Sequence, residues 1–224
     1  MRLPGRLRRA ALASRATISD VYVPPKFTVD DEDAWRIVGD AGAGVLVNAT
    51  SSGLQSVFVP VIVSEDRRLL TAHVARANPW WRAVEEGAEI LALFVAASAY
   101  VSPSLYPSRL EDPRVVPTWN YVAAEVRGRA TLRHEPEWKL DQVRALTGHF
   151  EAGRDPEWLL DQLDEHYRDQ QLRAIVGVEI EVVQIIGKAK LSQNRPAIDH
   201  DRVREHFAHG SLAEQNVAKR MGSQ

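Results

Sequence analysis

The chain has no cysteine among its 224 residues. That excludes disulfide scaffolds, cysteine nucleophiles and thiolate metal sites, and it accords with a reducing, cytoplasmic location. Long apolar runs are missing too. The longest stretch, residues 174–187, is broken by Glu179 and Glu181, and none reaches the roughly 18–20 residues needed to cross a bilayer. No membrane partner is therefore expected. Charge of one sign is equally scarce: the formal net charge is -2 and the pI about 6.4, so there is no global basic field of the kind that drives nucleic-acid binding. Direct DNA contact would have to come from a local patch. The nucleophile elbow, the phosphate-cradling glycine loops, the HExxH zinc motif and a helix-turn-helix with a basic second helix are all absent. No catalytic residue can be named, and no metal site is expected.

What is present is an ordinary globular composition, 45% hydrophobic and 26% charged. The first nineteen residues carry Arg2, Arg6, Arg8, Arg9 and Arg15 and no acid. Residues 1–20 are read as a disordered basic extension, with a targeting peptide or nucleic-acid arm as alternatives. Ordered patterning starts near Val21. Asp30 is placed to cap a short helix carrying Trp35, Ile37 and Val38 and stopped by the glycines at 39–44. Short Val- and Leu-rich runs at 45–49, 57–63 and 69–74, then 89–95, 99–102 and 119–132, read as strands. The stretch 103–117, with four prolines, is longer than a simple connector and is a candidate functional loop. Trp138, Val143, Leu146 and Phe150 have helical spacing. Asp155-Pro156-Glu157 has the form of an N-cap, first-turn proline and acid opening a second helix with Trp158, Leu159, Leu163 and Tyr167 on its apolar side. Residues 174–186, alternating Val178, Ile180 and Val182 against Glu179 and Glu181, form the clearest strand. Regular β-α-β alternation is missing, so the expected class is α+β or a barrel over 21–198, with a helical pair inserted before the last strand and a polar helical tail at 199–224.

Three constellations could carry chemistry. At 73–81 a strand ends beside Arg76, and Asn78-Pro79 is an N-cap and N1 pair. A helix starting there would aim free N–H groups and a guanidinium at a phosphate or carboxylate; the plainer alternative pairs Arg76 with a nearby acid. At 187–195, Lys188 and Lys190 fall on one face of a strand, followed by Ser192, Gln193 and Asn194, with a solvated strand end as the plainer alternative. The third set, Trp119, Asn120 and Tyr121 with Tyr100 and Ser102, fits a stacking platform or ordinary packing equally well. His200, His206 and His209 are read as scattered histidines on an exposed helix.

In this order, the segments 22–27, 73–80, 99–104, 116–121 and 187–195 resemble the PaiB family, described as FMN-binding negative transcriptional regulators. The likeness runs from about Val21 to about Asp199. It implies a six-stranded antiparallel FMN-binding split β-barrel, related in fold to pyridoxamine-phosphate oxidases, and a homodimer with flavin sites at the subunit interface. On that basis Arg76, Asn78, Lys188 and Lys190 become candidates for the flavin phosphate and Trp119, Asn120 and Gln193 for ring or ribityl contacts, with His73 and Ser102 as further cofactor-binding candidates. The chain departs from the family pattern where histidine is common, with Phe58, Ser98 and Glu125 in those places. The resemblance leaves two further readings open, a flavin-dependent oxidoreductase acting on a small substrate and a barrel that binds another ligand such as heme.

Overall fold

The computed structural model describes residues 21–222; the basic extension at 1–20 lies outside them. Eight antiparallel strands form one sheet: β1 (Thr28–Val29), β2 (Ala43–Thr50), β3 (Gly53–Pro60), β4 (Ile62–Val63), β5 (Leu69–Ala75), β6 (Glu89–Val101), β7 (Thr118–Arg133) and β8 (Ile175–Lys190). Six are long; β1 and β4 have two residues each. The sheet runs β3-β2-β6-β7-β8-β5-β4, with β1 paired to β8. Its two edge strands, β3 and β4, are joined by the single residue Val61, whose N–H donates to Gly42 O at 3.0 Å. A sheet whose first and last strands are separated by one residue must curl on itself, and this one does so as a split barrel.

Alternation explains which side is inside. Along β7, Asn120, Val122, Ala124, Val126 and Ala130 are buried while Trp119, Tyr121, Ala123, Glu125 and Arg127 face outward. β6 is bulged between Val95 and Ala97, so the two runs read from sequence are one bent strand. The first helix, α1 (Asp31–Ala41), is capped by Asp30, which accepts from Asp33 N–H at 2.8 Å, and closes on Gly42 at φ 65°. It lies across β6, β7 and β8. Gly187 makes that approach possible, because a Cβ there would meet Ala34 and Val29.

The inserted helical pair is present but differs from expectation. In α2 (Pro136–Glu151) the buried residues are Lys139 and Gln142, while Phe150 is exposed. The reason is the surface beneath it: α2 covers the outer face of β5 and β8, which carries His73, Gly177 and Glu179. Trp138 Nε1 donates to Glu179 Oε2 at 3.1 Å, and Arg133 donates to the same carboxylate at 2.6 Å. Asp155-Pro156-Glu157 does not open a helix. Leu160 is buried in a short turn, and the second helix, α3 (Glu165–Arg173), starts at Asp164, which accepts from Tyr167 N–H at 3.0 Å. Trp158, Leu159 and Tyr167 are exposed, and Leu172 supplies the apolar contact.

The tail folds as two helices, α4 (Ala197–Ala208) and α5 (Leu212–Met221). Val203, Phe207, Val217 and Met221 join the main core. The proline-rich stretch before β7 holds two single turns and serves as their bracket, since buried Asp199 accepts from Ser108 N–H at 3.0 Å and from its hydroxyl at 2.6 Å.

Candidate functional site

The turn after β5 is built as its residues dictate. Asn78 Oδ1 accepts from Trp80 N–H at 3.0 Å and Pro79 follows. What forms, however, is a five-residue 3-10 turn, Pro79–Ala83, too short to accumulate an appreciable dipole. Arg76 is engaged with the backbone. Its Nε donates to Arg173 O at 2.8 Å and its Nη2 to Ile175 O at 3.0 Å. Its partners are thus the last carbonyl of α3, where a cation is favoured, and the first carbonyl of β8, rather than an acid. Trp81 Nε1 donates back to Arg76 O at 3.0 Å, and the guanidinium lies 5.9 Å from the Trp81 ring. His73 points outward from β5 and meets α2 through a 2.8 Å contact between Nδ1 and Gln142 Oε1.

The second constellation lies at the opposite end of β8. His73 is level with Gly177, whereas Lys190 is level with Tyr121 and Lys188 with Ala123. Within one chain, therefore, His73, Arg76 and Asn78 do not meet Lys188 and Lys190. Lys190 Nζ donates to Trp119 O at 2.7 Å and to Thr118 Oγ1; Lys188 lies 5.4 Å from the Tyr121 ring. Trp119 is 53% exposed and stands edge-on to Tyr100 at 6.4 Å. Burial lowers the pKa of Lys190, and the like charges of Lys188 and Arg195 lower it further. Among the described residues, none of these three cations is paired with a carboxylate.

Two candidates turn inward. Asn120 is fully buried, accepts from the Ser192 hydroxyl at 3.0 Å and faces Met221 of α5. Gln193 closes its own turn, accepting from Leu191 N–H and donating to Ala189 O, each at 2.6 Å. Ser102 caps the turn after β6 by accepting from Ser104 N–H at 3.2 Å. The register also places the three departures from the family pattern. Phe58, Val45, Leu93, Glu125 and Ile186 form one row across β3, β2, β6, β7 and β8, and Ser98 lies level with Tyr121 and Lys190. This row and its neighbour Val95 make an apolar outer face, with Phe58 70% exposed. It is interrupted by one ion pair, Arg127 to Glu125 at 2.8 Å. The sequence reading missed Lys139, Gln142 and Arg168; the signal available was their polar character at positions that turn toward the sheet.

A curled antiparallel sheet with an apolar outer face and a cationic, aromatic rim defines the split-barrel class. Residues 21–184 match the family described as "Putative FMN-binding domain", and the chain belongs to that family. It is 32% identical over 190 residues to the protease synthase and sporulation protein PAI 2 of Bacillus subtilis, covering 84% of this chain and 89% of the relative. Among solved structures, the FAD and heme binding protein from Mycobacterium smegmatis superposes with a TM-score of 0.56 at 16% identity, covering 82% of this chain and 80% of that one. The flavocytochrome Anf3 from Azotobacter vinelandii gives 0.54 at 15%, covering 71% and 67%. At these identities the structural likeness speaks for the fold. Among the described residues no helix is long and apolar enough to cross a membrane.

Proposed function

We propose that this protein is a flavin-binding homodimer of the PaiB type, holding FMN at the rim of its apolar face and acting as a negative regulator of transcription through that ligand. One observation carries the cofactor site. Lys188 and Lys190 stand together without a carboxylate near exposed Trp119 and Tyr100, with the Arg195 charge acting on Lys190 while its guanidinium packs on the Tyr106 ring at 4.3 Å. Such a set suits a phosphate on the ammonium groups and a flat ring against the aromatics. The flavin supplies electron and hydride transfer when bound; the chain's own residues bind and orient it. The rim adjoins the row from Phe58 to Ile186, and an apolar sheet face of that extent is suited to a symmetric contact with a second copy. Regulation through the ligand rather than through DNA contact fits a net charge of -2.

Titration of the full chain with FMN and with FAD, followed by visible absorption and flavin fluorescence, tests the site. FMN should bind, and Lys188→Ala should weaken it about tenfold or more, the loss of one charge-assisted contact of about 1.5–3 kcal/mol. A colourless protein that takes up neither flavin sinks the reading; a Soret band in its place would assign the barrel to heme. Light scattering should give twice the chain mass, and Phe58→Asp should halve it. Salt-sensitive, sequence-selective binding of its own promoter DNA would replace ligand-mediated regulation with direct repression.

A further inference from the structure

The proline-rich stretch at 103–117 has one buried residue, Tyr106. It is fixed from both sides. Its N–H donates to Pro103 O at 3.1 Å, its carbonyl accepts from Arg109 N–H at 3.2 Å, and Asp199 of α4 holds Ser108 two residues on. Arg195, in the turn between β8 and α4, lies with its guanidinium 4.3 Å from the centre of the Tyr106 ring. That turn is fixed as well: Arg195 N–H donates to Ser192 O at 2.9 Å, Ser192 stands at φ 65°, and its hydroxyl donates to buried Asn120 at 3.0 Å. Neither a carboxylate nor a carbonyl among the described residues holds the guanidinium. Burial raises the pKa of the Tyr106 hydroxyl against the pull of the Arg195 charge, so the ring stays neutral and does not cancel that charge. A guanidinium stacked by its face keeps the N–H groups at its edges for a ligand, and it loses less freedom on gripping one than a loose side chain would. The same charge acts on Lys190, whose Nζ is held by Trp119 O and Thr118 Oγ1. Like charges gathered at one end of a strand repel one another, and a bound anion relieves that repulsion.

We propose that Tyr106 is a positioning residue for the phosphate end of the flavin site: its ring holds the Arg195 guanidinium flat, so that the edge N–H groups meet the phosphate beside Lys188 and Lys190. This deepens the flavin reading and rests on it. The proline-rich stretch, fastened to α4 through Asp199, is then part of the cofactor site rather than a connector. Tyr106 acts through Arg195 and does not touch the phosphate itself, because its hydroxyl is closed off from solvent and has no hydrogen-bond partner. The ring is therefore needed and the hydroxyl is not.

Fluorescence titration of the full chain with FMN and with riboflavin, which shares the ring and ribityl chain and lacks the phosphate, tests the proposal. The wild type should prefer FMN, and Tyr106→Leu should cut that preference about fivefold or more while leaving riboflavin within about twofold. Tyr106→Phe should keep the wild-type preference. Arg195→Gln should lose at least as much preference as Tyr106→Leu, and adding Tyr106→Leu to it should lower the preference no further. Circular dichroism checks that Tyr106→Leu folds. Arg195→Lys, which keeps the charge and loses the flat face, repeats the test at a partly exposed position and should cut the preference about threefold or more. The proposal fails if Tyr106→Leu weakens FMN and riboflavin alike, if Tyr106→Phe loses the preference as Tyr106→Leu does, or if Arg195→Gln or Arg195→Lys leaves it unchanged. A wild type that takes up no flavin ends the flavin reading and this inference together, whereas an FMN preference intact across these variants ends this inference alone.

Discussion

Arg76 offers the sharpest test, because the sequence suggests a ligand cation and the fold gives it another task. Its Nε and Nη2 donate to Arg173 O and Ile175 O, and its planar group faces Trp81. Arg76→Ala removes two hydrogen bonds from a charged donor. A partly exposed setting discounts them to about 1–1.5 kcal/mol each, and the cation–π contact adds about 0.5–1 kcal/mol. The expected loss is about 2.5–4 kcal/mol. For a domain of this size that is a fall in Tm of about 5–15 °C. Differential scanning calorimetry and urea unfolding would measure it, with FMN titrated on each variant well below its Tm. Arg76→Lys should recover only part of the loss, since an ammonium cannot span both carbonyls. The reasoning is refuted if Arg76→Ala melts with the wild type while FMN affinity collapses. That result would return Arg76 to the cofactor.

Lys139 is 3% exposed, donates to Leu172 O at 2.7 Å, and has its pKa lowered below 10.5 by burial first and then by the charges of Arg76 and Arg173. The folded state thus releases this proton earlier than the unfolded one, so stability should rise with pH in the window just below 10.5. In Lys139→Met this rise should be absent from urea unfolding midpoints compared at pH 7 and pH 9.5. Gly177→Ala would drive a Cβ into Trp138; overpacking of about 1–3 kcal/mol should lower Tm and quicken hydrogen exchange in α2. At the other end, Ser211 and Glu214 form a capping box on α5, and hydrogen bonds from Ser211 lower the Glu214 pKa. Ser211→Ala should cost about 1 kcal/mol near neutral pH. The cost should shrink as pH falls through the lowered folded value, where the wild type loses the same contribution. Denaturation midpoints at pH 7 and pH 3 would show it.

The sequence made most of the barrel readable, because a two-residue period survives any amount of curling. Val178, Ile180 and Val182 against Glu179 and Glu181 identify β8, and Asp30 identifies the start of α1. The same parity, applied to the site, would have separated Trp119 and Tyr121 from Asn120, which points to the opposite face of β7. Sheet curvature was the harder part, since nothing local says that one residue, Val61, links the two edges. The helical pair misled for a physical reason. An apolar stripe predicts the buried face only when the surface below is apolar, and β5 and β8 offer α2 a histidine and a carboxylate. The tail hid its role in charge, although Val203 with Phe207 and Val217 with Met221 keep the four-residue spacing of a docked helix.

The sequence reading sets Phe58, Ser98 and Glu125 apart from the family it resembles, and the fold gathers them. Phe58 and Glu125 share a row of the outer face, and Ser98 sits beside Tyr121, so all three changes bear on one surface. A carboxylate at 125 facing a phosphate-bearing ligand would repel it if it stood alone. It does not stand alone: Arg127, two residues away on the same face, donates from Nε to Glu125 Oε1 at 2.9 Å and brings Nη2 to 2.8 Å from the same oxygen as an ion pair. The pair is close to neutral, and with both side chains under a fifth exposed it is already largely desolvated in one chain. Phe58 meanwhile adds exposed apolar area to this face. In the proposed dimer these side chains would make a drier contact, and they leave the cations at 188, 190 and 195 without a carboxylate. Glu125→Gln, which frees Arg127, should raise FMN affinity if the phosphate approaches this face. Unchanged affinity would place the phosphate out of reach of Arg127.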